Sequence, residues 1–206
     1  MVETLMFPKK DSNPFEIFGN WLEDAKKSAK KHNLPYPNKV CLATASKDGA
    51  PSSRMILLKE FDEQGFVFFT NYTSKKASDL EENPQASLCF YWEELNRQVR
   101  VNGSVKRVSD EESDEYFASR DFKSRIGAHA SKQSQPLKGG TKELLARVAE
   151  KTLKFGMKEV PRPEFWGGYR VAPETIEFWQ QGDFRIHNRM KFYRNGDDWN
   201  AEMLYP

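Results

Sequence analysis

Short strand-like segments separated by turn signals dominate the first half of the chain, and they limit the folds open to it. The segments VCLATA, PSSRMILLKEF and FVFFTN span residues 40–45, 51–61 and 66–71, and the turn sequences SKDG and DEQG separate them. Strands joined by such short turns are typical of antiparallel hairpins, because parallel strands need long crossover connections. The pattern therefore favours an antiparallel barrel over a doubly wound sheet.

The rest of the chain continues this pattern and adds helices. Further strands are predicted at 85–92 and 97–108 and in the segments WGGYRVA, TIEFWQ, RMKFYR and WNAEML, with NGDD as a hairpin turn before the last. Apolar periodicity and capping residues predict helices at residues 13–31, 74–84, 109–120, 121–130 and 141–156. Six to eight strands with peripheral helices indicate a mainly β fold, which we expect to form one domain over residues 1–206.

Charge and composition argue against several classes of protein. The chain has 32 Lys and Arg against 30 Asp and Glu, and a net charge of +2 is too balanced for bulk binding of nucleic acid or membrane. No apolar run reaches membrane-spanning length, and the start MVETLMFPKK lacks the apolar core of a signal peptide. A cytoplasmic protein is expected.

Metal and dinucleotide sites are not expected either. Cys41 and Cys89 lack metal-ligand spacing and are interpreted as buried free thiols, and only three histidines are present. No G-x-G-x-x-G follows a strand, and GG at 139–140 and WGG at 166–168 match no phosphate-binding fingerprint. A nucleotide would therefore have to be held by side chains.

Side chains that can hold phosphate gather in separate clusters. Arg54 and Lys59 lie in SSRMILLK, Lys75 and Lys76 begin a predicted helix, and YFASR places a tyrosine and an arginine four residues apart. A single cluster of this kind is also compatible with a solvated surface. Because no Ser-His-Asp or Cys-His arrangement is evident, the clusters together favour a cofactor that carries the chemistry.

The segment EFWQQGDFRIHNR places potential cations at alternate positions, Arg185, His187 and Arg189. In an extended strand these side chains would share one face, because side chains alternate with period two. One interpretation is a solvated strand edge whose charges discourage aggregation. The other is a face that binds anionic groups.

Several segments together resemble the pyridoxamine 5′-phosphate oxidase family, whose members use a flavin to make pyridoxal 5′-phosphate. They are SSRMILLK, FFTNYTSKKASDLEENPQASLCFYW, LNRQVRVNGSVKRV, YFASR, SRIGAHASKQS, PRPEFWGGYRV and IEFWQQGDFRIHNR. They occur in the family's order from about residue 13 to the end of the chain. The resemblance implies an FMN-binding split β-barrel and a homodimer with two flavin sites at the subunit interface.

The resemblance also implies a role for individual residues. FMN would be bound by Arg54, Met55, Ile56, Leu57, Leu58, Lys59, Phe69, Thr70, Lys75, Lys76, Gln98, Gln133, Ser134, Trp179 and Arg189. The substrate phosphate would be held by Lys59, Tyr116, Arg120 and Ser124. Arg185 and His187 would lie over the pyridine ring as the catalytic pair. The flavin residues would come from two chains, in the sets 54–76 and 133–189.

The activity implied is oxidation of pyridoxamine or pyridoxine 5′-phosphate, with hydride transfer from C4′ to flavin N5 and release of hydrogen peroxide from dioxygen. Two alternatives remain at this point. One is a split-barrel flavoprotein with another substrate, and the other is a non-catalytic protein that binds and delivers pyridoxal phosphate. His187 could also be a structural histidine.

The sequence departs from the family pattern at several positions. Lys75 stands where the family commonly has arginine, which replaces a two-pronged phosphate contact by a point charge. Asn188 replaces a common aspartate, and Met203 occupies the arginine position of the C-terminal segment. These differences are expected to affect affinity more than chemistry.

Overall fold

The computed structural model describes residues 7–156 and 158–206. Residues 1–6 lie outside the described part of the chain. The predictions of a single domain and of no signal peptide both include these residues. Within the described ranges, no helix is long and apolar enough to cross a membrane. No group of three or more His, Cys, Asp or Glu in those ranges is placed to hold a metal ion.

All five predicted helices are present. They are α1 (Pro14–His32), α2 (Lys75–Glu82), α3 (Asp110–Ser119), α4 (Phe122–Ala130) and α5 (Gly140–Phe155). The predicted caps hold two of them, since Asn13 Oδ1 accepts from the Phe15 amide at 2.8 Å and Ser109 Oγ accepts from the Glu112 amide at 3.1 Å. These side chains satisfy amides that a helix start leaves without partners.

The described residues form nine strands, where a total of six to eight was expected. They are β1 (Lys39–Ala45), β2 (Pro51–Leu57), β3 (Glu60–Asp62), β4 (Gly65–Asn71), β5 (Gln85–Trp92), β6 (Arg97–Arg107), β7 (Trp166–Gln180), β8 (Asn188–Asn195) and β9 (Asp198–Met203). The predicted strand 51–61 is two strands, because the chain leaves β2 at Leu58 to pair with β4 instead of β1. Lys59 lies at this break.

The predicted strands WGGYRVA and TIEFWQ are a single strand, β7. Pro173 lies between them and has no amide to donate. In the structure the pairing of β6 with β7 shifts at this point, from Asn102 opposite Thr175 to Gly103 opposite Pro173. The resulting β-bulge accommodates the proline and bends the strand without ending it.

All strand pairs are antiparallel, and the bend in β7 divides the sheet. Strand β6 pairs along one side of β7, while the other side pairs with β4 at residues 166–171 and with β8 at residues 175–180. The sheet order is β2-β1-β5-β6-β7-β4-β3, and the β8-β9 hairpin branches from β7. The sheet is therefore split into two arms that diverge from one long strand.

The main core lies between α1 and the sheet. Phe18 is fully buried, and its ring contacts Phe61, Phe66 and Phe90 at centroid distances of 4.9–5.0 Å. A smaller cluster of Phe117, Ile126, Val160 and Trp166 joins α3 and α4 to the start of β7. This second cluster positions the helices that border the candidate site.

Cys41 and Cys89 differ from their predicted environment. They lie opposite each other on β1 and β5 and are free, but both are half-buried rather than buried. They occupy the strand positions that face away from the core. The alternate positions, which hold Val40, Leu42 and Leu88, face inward. Burial raises the pKa of the Cys89 thiol.

Candidate active site

A cavity of about 1090 Å³ lies where β2, the end of β4, the start of α2 and the α3–α4 region meet, and we call it the cationic cavity. The predicted site residues that line it are Arg54, Met55, Ile56, Leu57, Lys59, Phe69, Thr70, Lys75, Lys76, Tyr116, Arg120, Ser124, Gln133 and Ser134. Residues far apart in the sequence are thus brought to one site. A cavity of this size matches the space that cofactor sites occupy.

The lining of this cavity is strongly cationic although the chain is nearly neutral. Its positively charged side chains are Arg54, Lys59, Lys75, Lys76 and Arg120. Asp121 is the carboxylate among the lining residues, and it already accepts hydrogen bonds from the Ser124 amide and hydroxyl at 2.9 and 2.6 Å. An anionic ligand would therefore be attracted to the cavity.

Arg54 is held in place on the cavity wall by β1 and β2. Its Nη1 donates to the Leu42 carbonyl at 3.2 Å and to Thr44 Oγ1 at 2.8 Å, and its Nη2 donates to Ser52 Oγ at 2.8 Å. Partial burial lowers the pKa of Arg54, but the carboxylate of Asp79 opposes this effect. The guanidinium is therefore a fixed cation, oriented before any ligand binds.

Lys76 is a buried cation at the start of α2. Its Nζ donates to Thr70 Oγ1, Ser74 Oγ and Gln133 Oε1 at 3.0–3.1 Å. Burial and the nearby charge of Arg54 lower its pKa to about 8. Because all three partners are neutral, the ammonium lacks an anion, and a bound phosphate would supply one.

A second group that can hold phosphate consists of Lys59, Tyr116, Arg120 and Ser124. The Arg120 guanidinium lies over the Trp166 ring at 4.7 Å, and its Nη1 is buried without a hydrogen-bond partner among the described residues. Burial lowers the pKa of Arg120. An unpaired buried donor is costly, so this atom is a strong candidate for contact with a ligand oxygen.

Aromatic rings form one wall of the cavity. Tyr116 stacks on Phe69 with centroids 3.9 Å apart, and Trp166 stacks on the same ring at 5.5 Å. The Lys59 ammonium lies 5.6 Å from the Tyr116 ring centre. These contacts fix the direction of the tyrosine hydroxyl beside the arginine.

The predicted flavin residues are divided differently from the expectation. Gln133 and Ser134 were grouped with the 179–189 segment, but they line the cationic cavity of the same chain as Arg54. Gln133 Oε1 accepts from Thr70 Oγ1 at 3.1 Å and from Lys76 Nζ at 3.0 Å. The loop that follows α4 brings them there, which sequence distance alone does not reveal.

The remaining predicted residues lie outside this cavity. Leu58 was expected to contact the cofactor, but it is buried in the main core at 4% exposure because the break after β2 turns it inward. Gln98, Trp179 and Arg189 are direct neighbours across β6, β7 and β8, and we call them the Trp179 row. Arg189 donates to Glu177 Oε1 through Nε at 2.9 Å and through Nη2 at 2.7 Å.

The alternation predicted that Arg185 and His187 share one strand face with Arg189. In the structure they do not share that face. Strand β8 begins at Asn188, and Asp183–Arg185 form a one-turn 3₁₀ helix with positive φ at Phe184 (54°) and Arg185 (65°). His187 instead packs on Trp179, with ring centroids 4.8 Å apart, and its Nδ1 accepts from the Gly182 amide at 3.2 Å. That bond leaves Nε2 to carry the proton of the neutral imidazole.

Sequence reasoning missed several residues that complete the cavity. Asn71, Ser119, Ser131 and Trp166 line it. Thr44 and Asp79 lie behind Arg54 and Lys75, where Asp79 accepts from both Thr44 Oγ1 and Lys75 Nζ. The sequence carries a signal for Thr44 and Asp79. Thr44 is a polar residue at an inward position of a strand, and Asp79 is a charged residue on the buried face of a helix.

Comparison with known proteins gives consistent matches over the whole fold. A family profile described as pyridoxamine 5′-phosphate oxidase matches residues 27–153, and one described as the pyridoxine 5′-phosphate oxidase C-terminal dimerisation region matches residues 166–206. The pyridoxine/pyridoxamine 5′-phosphate oxidase of Brucella anthropi is 50% identical over 199 residues, covering 96% of both chains. That of Rubrobacter xylanophilus is 50% identical over 95% of this chain and 88% of its own.

Solved structures agree with this assignment. PhzG from Burkholderia lata 383, solved with tetrahydrophenazine-1-carboxylic acid, superposes with a TM-score of 0.87 at 33% identity and 98% coverage of both chains. A pyridoxamine 5′-phosphate oxidase-related, FMN-binding protein from Nostoc punctiforme has the same fold, with a TM-score of 0.75 at 16% identity, over 96% of this chain and all of its own. The predicted mainly β split-barrel fold is confirmed. The chain belongs to the pyridoxine/pyridoxamine 5′-phosphate oxidase family of oxidoreductases.

Proposed function

We propose that the protein oxidises pyridoxamine and pyridoxine 5′-phosphates to pyridoxal 5′-phosphate with FMN as cofactor, dioxygen as electron acceptor and hydrogen peroxide as second product. The observation that carries this proposal is that two groups of side chains able to bind phosphate line one cavity. One group contains Arg54, Lys75 and Lys76, and the other contains Lys59, Tyr116 and Arg120. Two groups are needed because cofactor and substrate each carry a phosphate.

The first group fits the phosphate of FMN. Arg54 and Lys76 are fixed by neutral hydrogen-bond partners, and Lys76 has a lowered pKa that a nearby dianion would restore. The start of α2 adds free amide groups that favour an anion. A single phosphate suits this arrangement, and the sequence contains no dinucleotide fingerprint that would favour FAD.

The second group fits the phosphate of the vitamin B6 substrate. Arg120 Nη1 is buried and unpaired among the described residues, so a phosphate oxygen would give it an acceptor. The Ser124 hydroxyl donates to Asp121 at 2.6 Å and would have to rotate to donate to a phosphate. Anchoring the substrate through its phosphate restrains the ring, which is the main service this chain offers to the reaction.

When bound, FMN would supply the redox chemistry, namely acceptance of a hydride and transfer of the electrons to dioxygen. The chain's residues bind and orient. Arg185 and His187 are proposed to contact the pyridine ring, with His187 presenting Nε2–H because its Nδ1 accepts from Gly182. Arg189, Gln98 and Trp179 are proposed to contact the flavin.

We propose that the Trp179 row acts on the cavity of a partner subunit. None of its three residues lines the cationic cavity of its own chain, and Arg189 and Trp179 fall within the matched dimerisation region. In a two-fold homodimer each cavity would receive the row of the other chain, which creates two equivalent sites.

A cytoplasmic location remains a prediction.

The similarity to PhzG raises oxidation of a tetrahydrophenazine carboxylic acid as a second candidate function. The unpaired Arg120 and its neighbours Tyr116 and Lys59 favour a phosphate ester, because a phosphate monoester carries about −1.5 to −2 charges and three acceptor oxygens, against one charge and two oxygens for a carboxylate. Storage of pyridoxal phosphate without turnover is the third candidate.

One experiment separates these candidates. One sample of the purified protein is denatured and the released flavin is identified by chromatography. In a native sample, peroxide is measured with pyridoxamine 5′-phosphate, pyridoxine 5′-phosphate, their unphosphorylated forms and tetrahydrophenazine-1-carboxylic acid. We expect FMN and peroxide formation that requires the substrate phosphate. Release of FAD would contradict the cofactor assignment, and FMN without any peroxide would favour a binding protein.

A further inference from the structure

Two buried polar side chains lie behind the wall of the cationic cavity. Thr44, on β1, is 3% exposed, and Asp79, on α2, is 1% exposed. Thr44 occupies the inward position that Val40 and Leu42 hold earlier in the strand, and Asp79 lies on the same buried helix face as Leu80. Burial of a hydroxyl and a carboxylate at apolar positions costs free energy unless both are bonded.

Hydrogen bonds connect these two residues to the cations of the cavity in a continuous chain. Thr44 Oγ1 donates to Asp79 Oδ2 at 2.7 Å and accepts from Arg54 Nη1 at 2.8 Å. Asp79 Oδ1 accepts from Lys75 Nζ, and Arg54 Nη2 lies 3.9 Å from Asp79 Oδ2. One carboxylate thus bonds to one cation directly and to another through the threonine hydroxyl.

The direction of each bond follows from the donors available. Arg54 and Lys75 can only donate, and ionised Asp79 can only accept, so the threonine hydroxyl must donate to the aspartate and accept from the arginine. Burial alone would raise the pKa of Asp79, but the bonds from Lys75 and Thr44 and the charges of Lys75 and Arg54 hold it below its ordinary value. The carboxylate is therefore an anion throughout the physiological range.

The charges of this group match a phosphate monoester. Arg54, Lys75 and Lys76 carry three positive charges and Asp79 carries one negative charge, which leaves a surplus of two. A phosphate monoester carries about −1.5 to −2 at pH 7. Without Asp79, three neighbouring cations would repel each other more strongly before the ligand arrives. Burial and, after it, the charge of Arg54 already lower the pKa of Lys76.

We propose that Thr44 and Asp79 are positioning residues that hold Arg54 and Lys75 in the orientation needed to bind the FMN phosphate. This inference rests on the proposed cofactor. Lys75 lies four residues before Asp79 and bonds to it along the helix, while Arg54 offers a planar donor group for phosphate.

The central test compares Thr44→Val with Thr44→Ser. Valine has the same shape but no hydroxyl, and serine keeps the hydroxyl, so neither substitution changes the charge. Dissociation constants for FMN and riboflavin are measured by flavin fluorescence quenching, because only FMN carries the phosphate. We expect Thr44→Val to weaken FMN binding about tenfold relative to riboflavin, and Thr44→Ser to stay within about twofold of wild type.

A double-mutant cycle tests whether Thr44 acts through Arg54. In an Arg54→Met background, Thr44→Val should change the FMN affinity by less than about twofold, because the group that it orients is gone. A merely structural threonine would weaken FMN and riboflavin binding equally and would do so in both backgrounds. Thermal unfolding of each variant identifies those that fail to fold, and the serine variant and the cycle then still decide the question.

Asp79→Asn is compared with Glu82→Gln, which removes the same charge from an exposed position of the same helix. We expect Asp79→Asn to weaken FMN binding about tenfold and Glu82→Gln to leave it within about twofold. Tighter FMN binding by Asp79→Asn would overturn the role of Asp79, since its charge would then only oppose the phosphate. If wild type bound FMN more tightly than riboflavin and Thr44→Val kept that preference, the positioning role would be refuted while the proposed cofactor would stand. Equal affinity of wild type for both flavins would refute the proposed cofactor itself.

Discussion

The cationic cavity and the Trp179 row carry similar polar and aromatic residues, but the fold organises them to different degrees. In the cavity, Arg54 and Lys76 each have three hydrogen-bond partners, and Arg54 and Lys75 share the buried Asp79. Beside the row, Phe184 is 95% exposed, Ile186 is 70% exposed, and Phe184 and Arg185 have positive φ angles. The cavity is prepared within one chain, while the loop beside the row presents its side chains outward.

This difference suggests separate roles for the two halves of the proposed site. Preorganised cations bind a phosphate without first losing side-chain freedom, so under the proposed function the cavity would supply most of the affinity. The Trp179 row does not line the cavity of its own chain, so under the same proposal it would supply contacts to the site of a second subunit.

Mixing two inactive variants should restore activity if the halves come from different chains. Arg120→Ala and Arg185→Ala should each lower kcat/KM for pyridoxamine 5′-phosphate about 100-fold, because each loses charged hydrogen bonds to the substrate. Co-expression gives half mixed dimers with one intact site of two, so about a quarter of wild-type activity should return. Absence of any recovery in purified mixed dimers would place both residues in the same site of one chain.

Arg189→Ala and Arg185→Ala should affect different ligands. Arg189 is already bonded to Glu177, so only part of its hydrogen-bonding capacity is open to a flavin. We therefore expect Arg189→Ala to lower FMN affinity about tenfold, with little change in turnover at saturating FMN. Arg185→Ala should leave FMN affinity unchanged. Flavin titration and steady-state oxidation of both variants check this, and a reversed pattern would show that the two roles are exchanged.

FMN affinity should fall with rising pH because of Lys76. Its pKa in the free protein is about 8, and a bound phosphate dianion favours the charged form and raises that pKa. Binding above pH 8 therefore takes up a proton, and the FMN dissociation constant should rise about tenfold per pH unit above this value. Titrations from pH 7 to 9.5 measure it. Riboflavin binding is the control, and Lys76→Met should abolish the pH dependence.

The smallest effect should come from strain beside the Trp179 row. Phe184 has a φ of 54°, a conformation that asparagine adopts more readily than phenylalanine. Phe184→Asn should therefore stabilise the protein by about 0.5–1 kcal/mol, measured by urea unfolding. Ile186→Asn, at an exposed position with a φ of −83°, is the matched control and should change stability by less than about 0.5 kcal/mol. Equal effects would show that the strain is not stored at Phe184.

Much of the fold could be predicted because its signals are local. Asn13 and Ser109 mark helix starts through bonds to amides two and three residues away, and the hairpin turns lie between strands that pair with each other. The predictions that were wrong concern residues whose environment depends on a segment distant in the sequence. Pro173 lies inside a strand because Gly103 on β6 leaves room for a bulge, and Leu58 turns into the core because the chain changes partners after β2.

The helices, the antiparallel strands, the family motifs and most residues of the cationic cavity could be predicted from the sequence alone. The grouping of those residues depends on the tertiary structure. It placed Gln133 beside Lys76, kept the Trp179 row outside the cavity, and brought Thr44 and Asp79, 35 residues apart, to a 2.7 Å hydrogen bond behind Arg54. The physical reason is range: capping and turn preferences act over a few residues, whereas burial and electrostatic pairing depend on which distant segments pack together.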